Sequence, residues 1–290
     1  MSFEKYLKLK RLVDCYYDVQ DVRIRSANRL RIFPTEAKAV YPDRLKEVES
    51  DLKLEIQQLL YEEPIWDDFL SKWRGVGPCI AGSLIAIIML KFTVREPLNE
   101  LETSWSMKTK DGKLLVPELR GIGKFDNPSK LHAFFGLDVH EGHAPWRKRG
   151  DRESVTWSPK ARMLSWKIGE QFVKQGRYYR QVYLVARQVY EARPDLQQGV
   201  WINPRTGKIG KGAKGHRYQM AKRKMVKQFL TDLWVAWRKL EGLSTVNPYV
   251  IDKLKHVHYQ VPPALGDRAA TETIEPSKEC DTEEECDPTD

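Results

Sequence analysis

Phe69-Leu70-Ser71-Lys72-Trp73-Arg74-Gly75-Val76-Gly77-Pro78, followed by Ala81, Leu84, Ile85 and Ile88, decides how this chain is read. One helix ends, a Gly-Val-Gly turn follows, and an apolar helix starts. Glycines in such a turn permit positive φ and let another backbone come close. This is the pattern of a helix-hairpin-helix element. The orphan backbone N–H groups and the dipole at the second helix's N-terminus suit it to a phosphate. Gly75, Val76 and Gly77 are therefore candidate nucleic-acid contacts. A tight helix–helix turn packed inside the domain is the other reading, and both stay open at this point.

Upstream, Leu9, Val13, Tyr16, Tyr17, Val19, Ile24 and Leu30 recur at helical spacing over residues 4–31, with no proline before Pro34. Pro42-Asp43 opens a second helix. Its apolar residues Leu45, Val48, Leu52, Ile56 and Leu59 form a coiled-coil-like seam with charged flanks. That seam fits an intramolecular helical hairpin or a homodimer through the N-terminal helices. Asp14, Asp18 and Asp21 lie on one helix at i, i+4 and i+7 and read as a solvated face.

Downstream, residues 91–120 read as an insert. Thr103 to Lys108 and Lys113 to Val116 flank Asp111-Gly112, a β-hairpin signal. Gly121-Ile122-Gly123 fits a second hairpin of the same kind or a loop turn, and the loop turn is the preferred reading. Residues 128–137 form a short apolar helix ended by Gly136, and a basic loop with Trp146-Arg147-Lys148-Arg149 follows. Arg and Lys suit phosphates, and tryptophan can stack on bases. Residues 159–192 are helical, with Leu164, Ile168, Phe172, Tyr179, Tyr183 and Ala186 on a core side. From Arg205 to Lys227 there are nine Lys/Arg and no acid. A helix from Met220 to Glu241 then carries Lys222, Arg223, Lys224 and Lys227 in its first turns, where cations oppose the dipole unless an anion neutralises them. The basic face expected to contact phosphates comprises Arg147, Lys148, Arg149, Lys211, Lys214, Arg217, Lys222 and Arg223.

Composition narrows the function classes. The chain has 290 residues, 41% hydrophobic, with a net charge of +9. Mean hydropathy is −0.57 and the isoelectric point about 9.2. The longest apolar run, Leu84 to Leu90, is far short of the ~20 residues that a membrane span needs. Met1-Ser2-Phe3-Glu4-Lys5-Tyr6 does not read as an apolar leader, and no secretory signal is expected. Cys15, Cys79, Cys280 and Cys286 make no C-x-x-C pair, which points away from zinc and disulfides and toward a reducing, cytoplasmic setting. Asp138, His140, Glu141 and His143 crowd one loop, but four ligands within six residues cannot easily surround one ion. No metal or cofactor is expected.

Gly75-Val76-Gly77-Pro78 with Ala81, then Pro128-Ser129 with Leu131, Ala133 and Gly136-Leu137, resemble the C-terminal domain of insertion-sequence transposases of family one hundred and ten. That domain is also labelled with families one hundred and sixteen and nine hundred and two. Arg147-Lys148-Arg149-Gly150 stands where that family has a basic stretch. Lys214-Gly215-His216-Arg217, Ala221 to Met225 and Leu233-Trp234 resemble its last helix. Val22 to Leu30 is similar to its coiled-coil linker, so the resemblance covers residues 5–242.

It implies DNA recombination by a ribonuclease-H-like domain with four acidic metal ligands, a coiled coil, and a helical domain with a nucleophilic serine. Members bind a structured guide RNA. This sequence departs from the pattern twice. The resemblance begins at the linker, with no stretch read as the acidic domain, and Glu141-Gly142 stands where the family has Ser-Gly. Ser154 and Ser158 lie downstream of that place.

The expected fold is all-α. It comprises a helical hairpin or coiled coil over residues 1–62 and a helix-hairpin-helix domain over 63–250, with inserts at 91–120 and 199–214 and a small β-hairpin. The expected function is binding of DNA, or of structured RNA, related to transposition and not catalytic alone. The DNA-binding half of a split recombinase and an interaction scaffold are the alternatives. No membrane partner is expected.

Residues 262–290 read as a disordered acidic tail. Nine acids against Lys278 put −8 on residues 272–290 and leave +17 on residues 1–271. Tethering keeps such a segment concentrated near a basic face. Truncation at Gly266 is expected to tighten nucleic-acid binding at low salt. Equal affinities of the full and truncated chains in a low-salt titration would leave the tail as a solubiliser only.

Overall fold

The computed structural model describes residues 1–32, 40–96, 109, 111–139, 157–193, 201–202, 209–210 and 213–245. These residues are mostly helical, as expected. Helix α1 (Phe3–Ile32) and helix α2 (Val40–Leu60) pack along one another within one chain. The pairs Lys5–Glu62 and Arg23–Glu49 make them antiparallel. Their seam is deep only at one end. Leu9, Ile56 and Leu60 are fully buried, whereas Val22, Ile24 and Val48 are exposed at the far end.

A short helix, α3 (Pro64–Asp68), and one 3-10 turn (Leu70–Lys72) lead into the glycine turn. Helix α4 (Pro78–Met89) follows, and it is buried at almost every position. Such all-round apolarity suits only a helix surrounded by others. It packs on α1, on α2 and on helix α6 (Pro159–Gln175). Gly82 makes the first two contacts possible. A Cβ there would stand 3.0 Å from Ile56 Cγ2 and 3.2 Å from both Leu9 Cδ1 and Val13 Cγ2.

Strand β1 (Leu90–Arg95) continues directly from α4 and pairs antiparallel with β2 (Leu114–Leu119), Leu90 opposite Leu119 and Arg95 opposite Leu114. This corrects the sequence reading of a short hairpin about Asp111-Gly112. The turn is present: Thr109 N–H donates to the Lys113 carbonyl at 2.7 Å, and Gly112 takes φ 78°. The strand that β2 joins, however, lies well upstream, because β1 can extend straight from the buried helix. Residues 103–108 lie outside the described set. Gly121 (φ 73°) and a 3-10 turn at Ile122–Lys124 form the loop turn that was expected.

Helix α5 (Pro128–Phe134) is capped by Asn127, whose side chain accepts from Lys130 N–H. Residues 159–192 were read as one helical stretch. They form two helices, α6 and α7 (Tyr178–Ala192), broken at Gly176, where a Cβ would lie 2.9 Å from the Phe172 backbone. Their aromatic stripe is core, as the spacing suggested: Tyr179 stacks on Phe172 and meets Phe229 edge-on. A two-residue strand pair, β3 (Trp201–Ile202) with β4 (Ile209–Gly210), precedes helix α8 (Ala213–Leu240). Buried residues from Tyr6 to Trp237 form one continuous cluster. Among the described residues, no helix is long and apolar enough to cross a membrane.

The contact at Gly82 yields a stability test. Overpacking a well-filled core costs about 1–3 kcal/mol, occasionally more. Gly82→Val is expected to cost about 3 kcal/mol and Ile56→Ala in the same chain to return part of it, read as urea midpoints. An unchanged midpoint for Gly82→Val would show that α4 does not need the close approach.

Candidate nucleic-acid interface

The N-terminus of α4 opens into a groove of about 640 Å³. Gly77 stands at the N-cap with extended backbone and no side-chain cap, and Pro78 occupies the first helical position. The Cys79 and Ile80 N–H groups therefore have no acceptor within the helix. Gly75 takes φ 104°, and a Cβ there would meet Phe172 Cδ1 at 3.3 Å and the Gln171 carbonyl at 3.4 Å. The turn is thus pressed against α6 on one side. A Cβ at Gly77 would meet nothing within 4 Å, so the other side is open. Val76 is buried and anchors the turn.

Cations gather around this opening from three elements. Lys53 comes from α2, Arg74 from the turn, and Lys167 and Lys174 from α6. Lys167 Nζ lies 3.4 Å from the Tyr17 ring centroid, and burial pushes its ammonium pKa below the usual value. Glu170, the one carboxylate lining the groove among the described residues, binds Lys222 Nζ at 2.5 Å. That bond holds the Glu170 carboxyl below the usual carboxylate range. Among the described residues, the cations that line the groove thus outnumber its one carboxylate. Trp73, 3% exposed, also lines it, and its buried indole N–H has no acceptor among the described residues.

The C-terminal end of α4 is treated differently. The Arg120 guanidinium donates to the Ile88 carbonyl at 3.0 Å and to the Ile87 carbonyl, and lies 4.3 Å from the Phe134 ring centroid. Burial lowers its pKa to about 10. A side-chain cation thus meets the negative end of the helix, while the positive end faces the groove.

The basic face expected from the sequence is redistributed. Lys222 is a correction: it is 3% exposed and ion-paired to Glu170. Arg223 is half-buried, and its Nη2 donates to the Asp138 carbonyl at 2.9 Å. The reason is that α8 begins at Ala213, two turns before Met220. These cations are then mid-helix, not at a helix N-terminus. Arg217 is half-buried on α8. Lys214 falls in the first turn of α8, its side chain outside the described set. Arg147, Lys148, Arg149 and Lys211 lie outside the described residues, as do His140, Glu141, His143 and Ser154.

Two clusters emerge that the sequence reading did not assemble. Arg162, Arg223 and Lys227 gather about Asp138, each with its pKa lowered first by burial. Lys53, Arg74, Lys167 and Lys174 gather at the groove. Arg74 stood in the quoted stretch, and Lys167 and Lys174 are spaced seven apart on one helix. Nothing local tied them to Lys53. Among the described residues, no group of His, Cys, Asp and Glu could hold a metal ion.

Comparison with protein-family models, with curated proteins and with solved structures finds no match to this chain.

Burial of Lys222 changes what its substitution reads. Removing one partner from a buried ion pair costs about 3–5 kcal/mol. Lys222→Glu is expected to lower stability by at least about 3 kcal/mol, whereas Lys224→Glu, at an exposed position, should stay within about 0.5 kcal/mol. Equal urea midpoints for the two variants would put Lys222 back on the surface.

Proposed function

We propose that the chain is a nucleic-acid-binding protein, related to the C-terminal helical domain of the insertion-sequence transposases that its sequence resembles. The Gly75-Val76-Gly77-Pro78 turn acts as a helix-hairpin-helix element. The observation that carries this reading is the open, cation-lined N-terminus of α4. A backbone phosphate there meets N–H groups that have no acceptor within the helix and the positive end of the dipole, and surrounding lysines add point charges. The basic groove also suits the +17 body inferred for residues 1–271.

The protein is proposed not to cleave or join strands alone. Serine-based strand transfer needs a hydroxyl and an activating group, with metal-bound carboxylates to stabilise charge. The resemblance places Glu141 at the serine position. Ser158 is engaged as the N-cap of α6, its Oγ accepting from Ala161 N–H at 3.3 Å.

Binding to duplex DNA or structured RNA is expected to weaken as salt rises, because phosphate contacts release counterions. Lys53→Glu with Lys174→Glu, both exposed, should weaken binding to all sequences alike. On duplex DNA it should also flatten the slope of log K against log[salt] by about two. Undiminished affinity in this double variant would remove the groove from the interface.

A further inference from the structure

Trp166 is out of place for a structural residue. The core side of α6 is Ala161, Leu164, Ser165, Ile168, Gly169 and Phe172, all buried. Trp166 lies off that side and is 56% exposed. It forms part of the groove wall together with Lys167, Lys174 and the glycine turn. Lys222 Nζ lies 5.6 Å from its ring centroid, and more than half of the residue still faces solvent.

Its position along α6 gives that exposure a chemistry. Arg162, Trp166, Glu170 and Lys174 follow each other at intervals of four, forming one inclined row on the helix. From Arg162 to Lys174 the row rises about 18 Å, the length of a few nucleotides. One end carries Arg162 beside Arg223 and Lys227. The other carries Lys174 near Arg74 and the N-terminus of α4. Glu170, the only acid in the row, is neutralised by Lys222. An exposed indole thus stands between two basic clusters. A nucleobase flanked by phosphates has this layout, an apolar π-face with negative charge on either side.

A base paired within a duplex cannot offer its face to a side chain without leaving the stack. We infer that Trp166 is the stacking platform for an unpaired nucleobase, so that the strand held in the groove is single-stranded or branched. Arg162, Arg223 and Lys227 take the phosphates on one side of the base, and Lys174 and Arg74 take those on the other. This inference rests on the nucleic-acid reading above and names the class of nucleic acid.

The test compares a labelled single strand of about 16 thymidines with a blunt duplex of the same length, by fluorescence anisotropy on the full chain. Trp166→Ala should weaken single-strand binding about tenfold or more and change duplex binding less than about twofold, because stacking contributes per unpaired base. Trp166→Phe should keep most of the affinity, since a π-face remains. A 2-aminopurine in the strand should be quenched by the wild-type chain and by Trp166→Phe, but not by Trp166→Ala.

Single-strand binding that survives Trp166→Ala, equal losses on both ligands, or quenching that persists in Trp166→Ala would overturn the platform. Wild-type binding to the duplex alone would also overturn it while leaving the nucleic-acid function standing. A wild-type chain that binds neither ligand at low salt would remove both readings.

Discussion

Burial of α4 is the constraint on which the other parts depend. Twelve residues with almost no polar face leave the helix stable only where neighbours cover it all round. The α1–α2 pair covers one side, and it comes close because Gly82 carries no side chain. Helix α6 covers another. A buried helix must still satisfy its ends, and the two ends are handled in opposite ways. Arg120 caps the carbonyl end, held in place by Phe125 and Phe134. The amide end is pushed into a solvent groove by the glycine turn, which Gly75 fits against α6 at a φ that other residues rarely adopt. The candidate site thus follows from how the core is closed.

The same packing sorts the cations into two populations. Some serve the interior. Lys222 answers Glu170, and Arg238 donates from Nε to the Ser244 carbonyl at 2.7 Å and from Nη1 to the Phe125 carbonyl at 3.3 Å. Buried charges persist only with such partners. Others remain at the groove or about Asp138, where their number exceeds that of the nearby acids. Net charge alone does not separate the two populations. Interior cations hold α8 against α6 and the segment before α5, and the groove cations are then left on a rigid frame. His132 belongs with the interior groups: its Nε2 donates to the Lys227 carbonyl at 3.0 Å, and burial drops its pKa to about 3. It is neutral at physiological pH and adds no charge to the neighbouring Arg223–Lys227 cluster.

Helical content, the long α1 and α2, the glycine turn and the aromatic core stripe were legible from the chain because each depends on local spacing or on a residue's own backbone preference. Apolar residues at intervals of three and four specify a helix wherever it packs, and glycine permits the turn wherever it lies. The break at Gly176 and the strand partner of β2 were not legible. Glycine tolerates a helix as well as a break, and Leu90 to Arg95 follow an apolar run that continues the α4 pattern. Only packing decides that the chain straightens after Met89.

The groove divides along the same line. Gly75, Val76 and Gly77 could be chosen from sequence, since their chemistry lies in one contiguous turn. Lys53, Arg74, Lys167 and Lys174 belong to three elements, and no periodicity relates Lys53 or Arg74 to the Lys167–Lys174 pair. Lys222 and Lys224 are two residues apart with equal intrinsic charge, yet one is buried on Glu170 and the other faces solvent. The sequence by itself determined which residues are charged and that most of the chain is helical, though not where each helix begins or breaks. Which cations turn inward and which line the groove was decided only by the tertiary structure, because burial depends on the side of a helix that its neighbours cover.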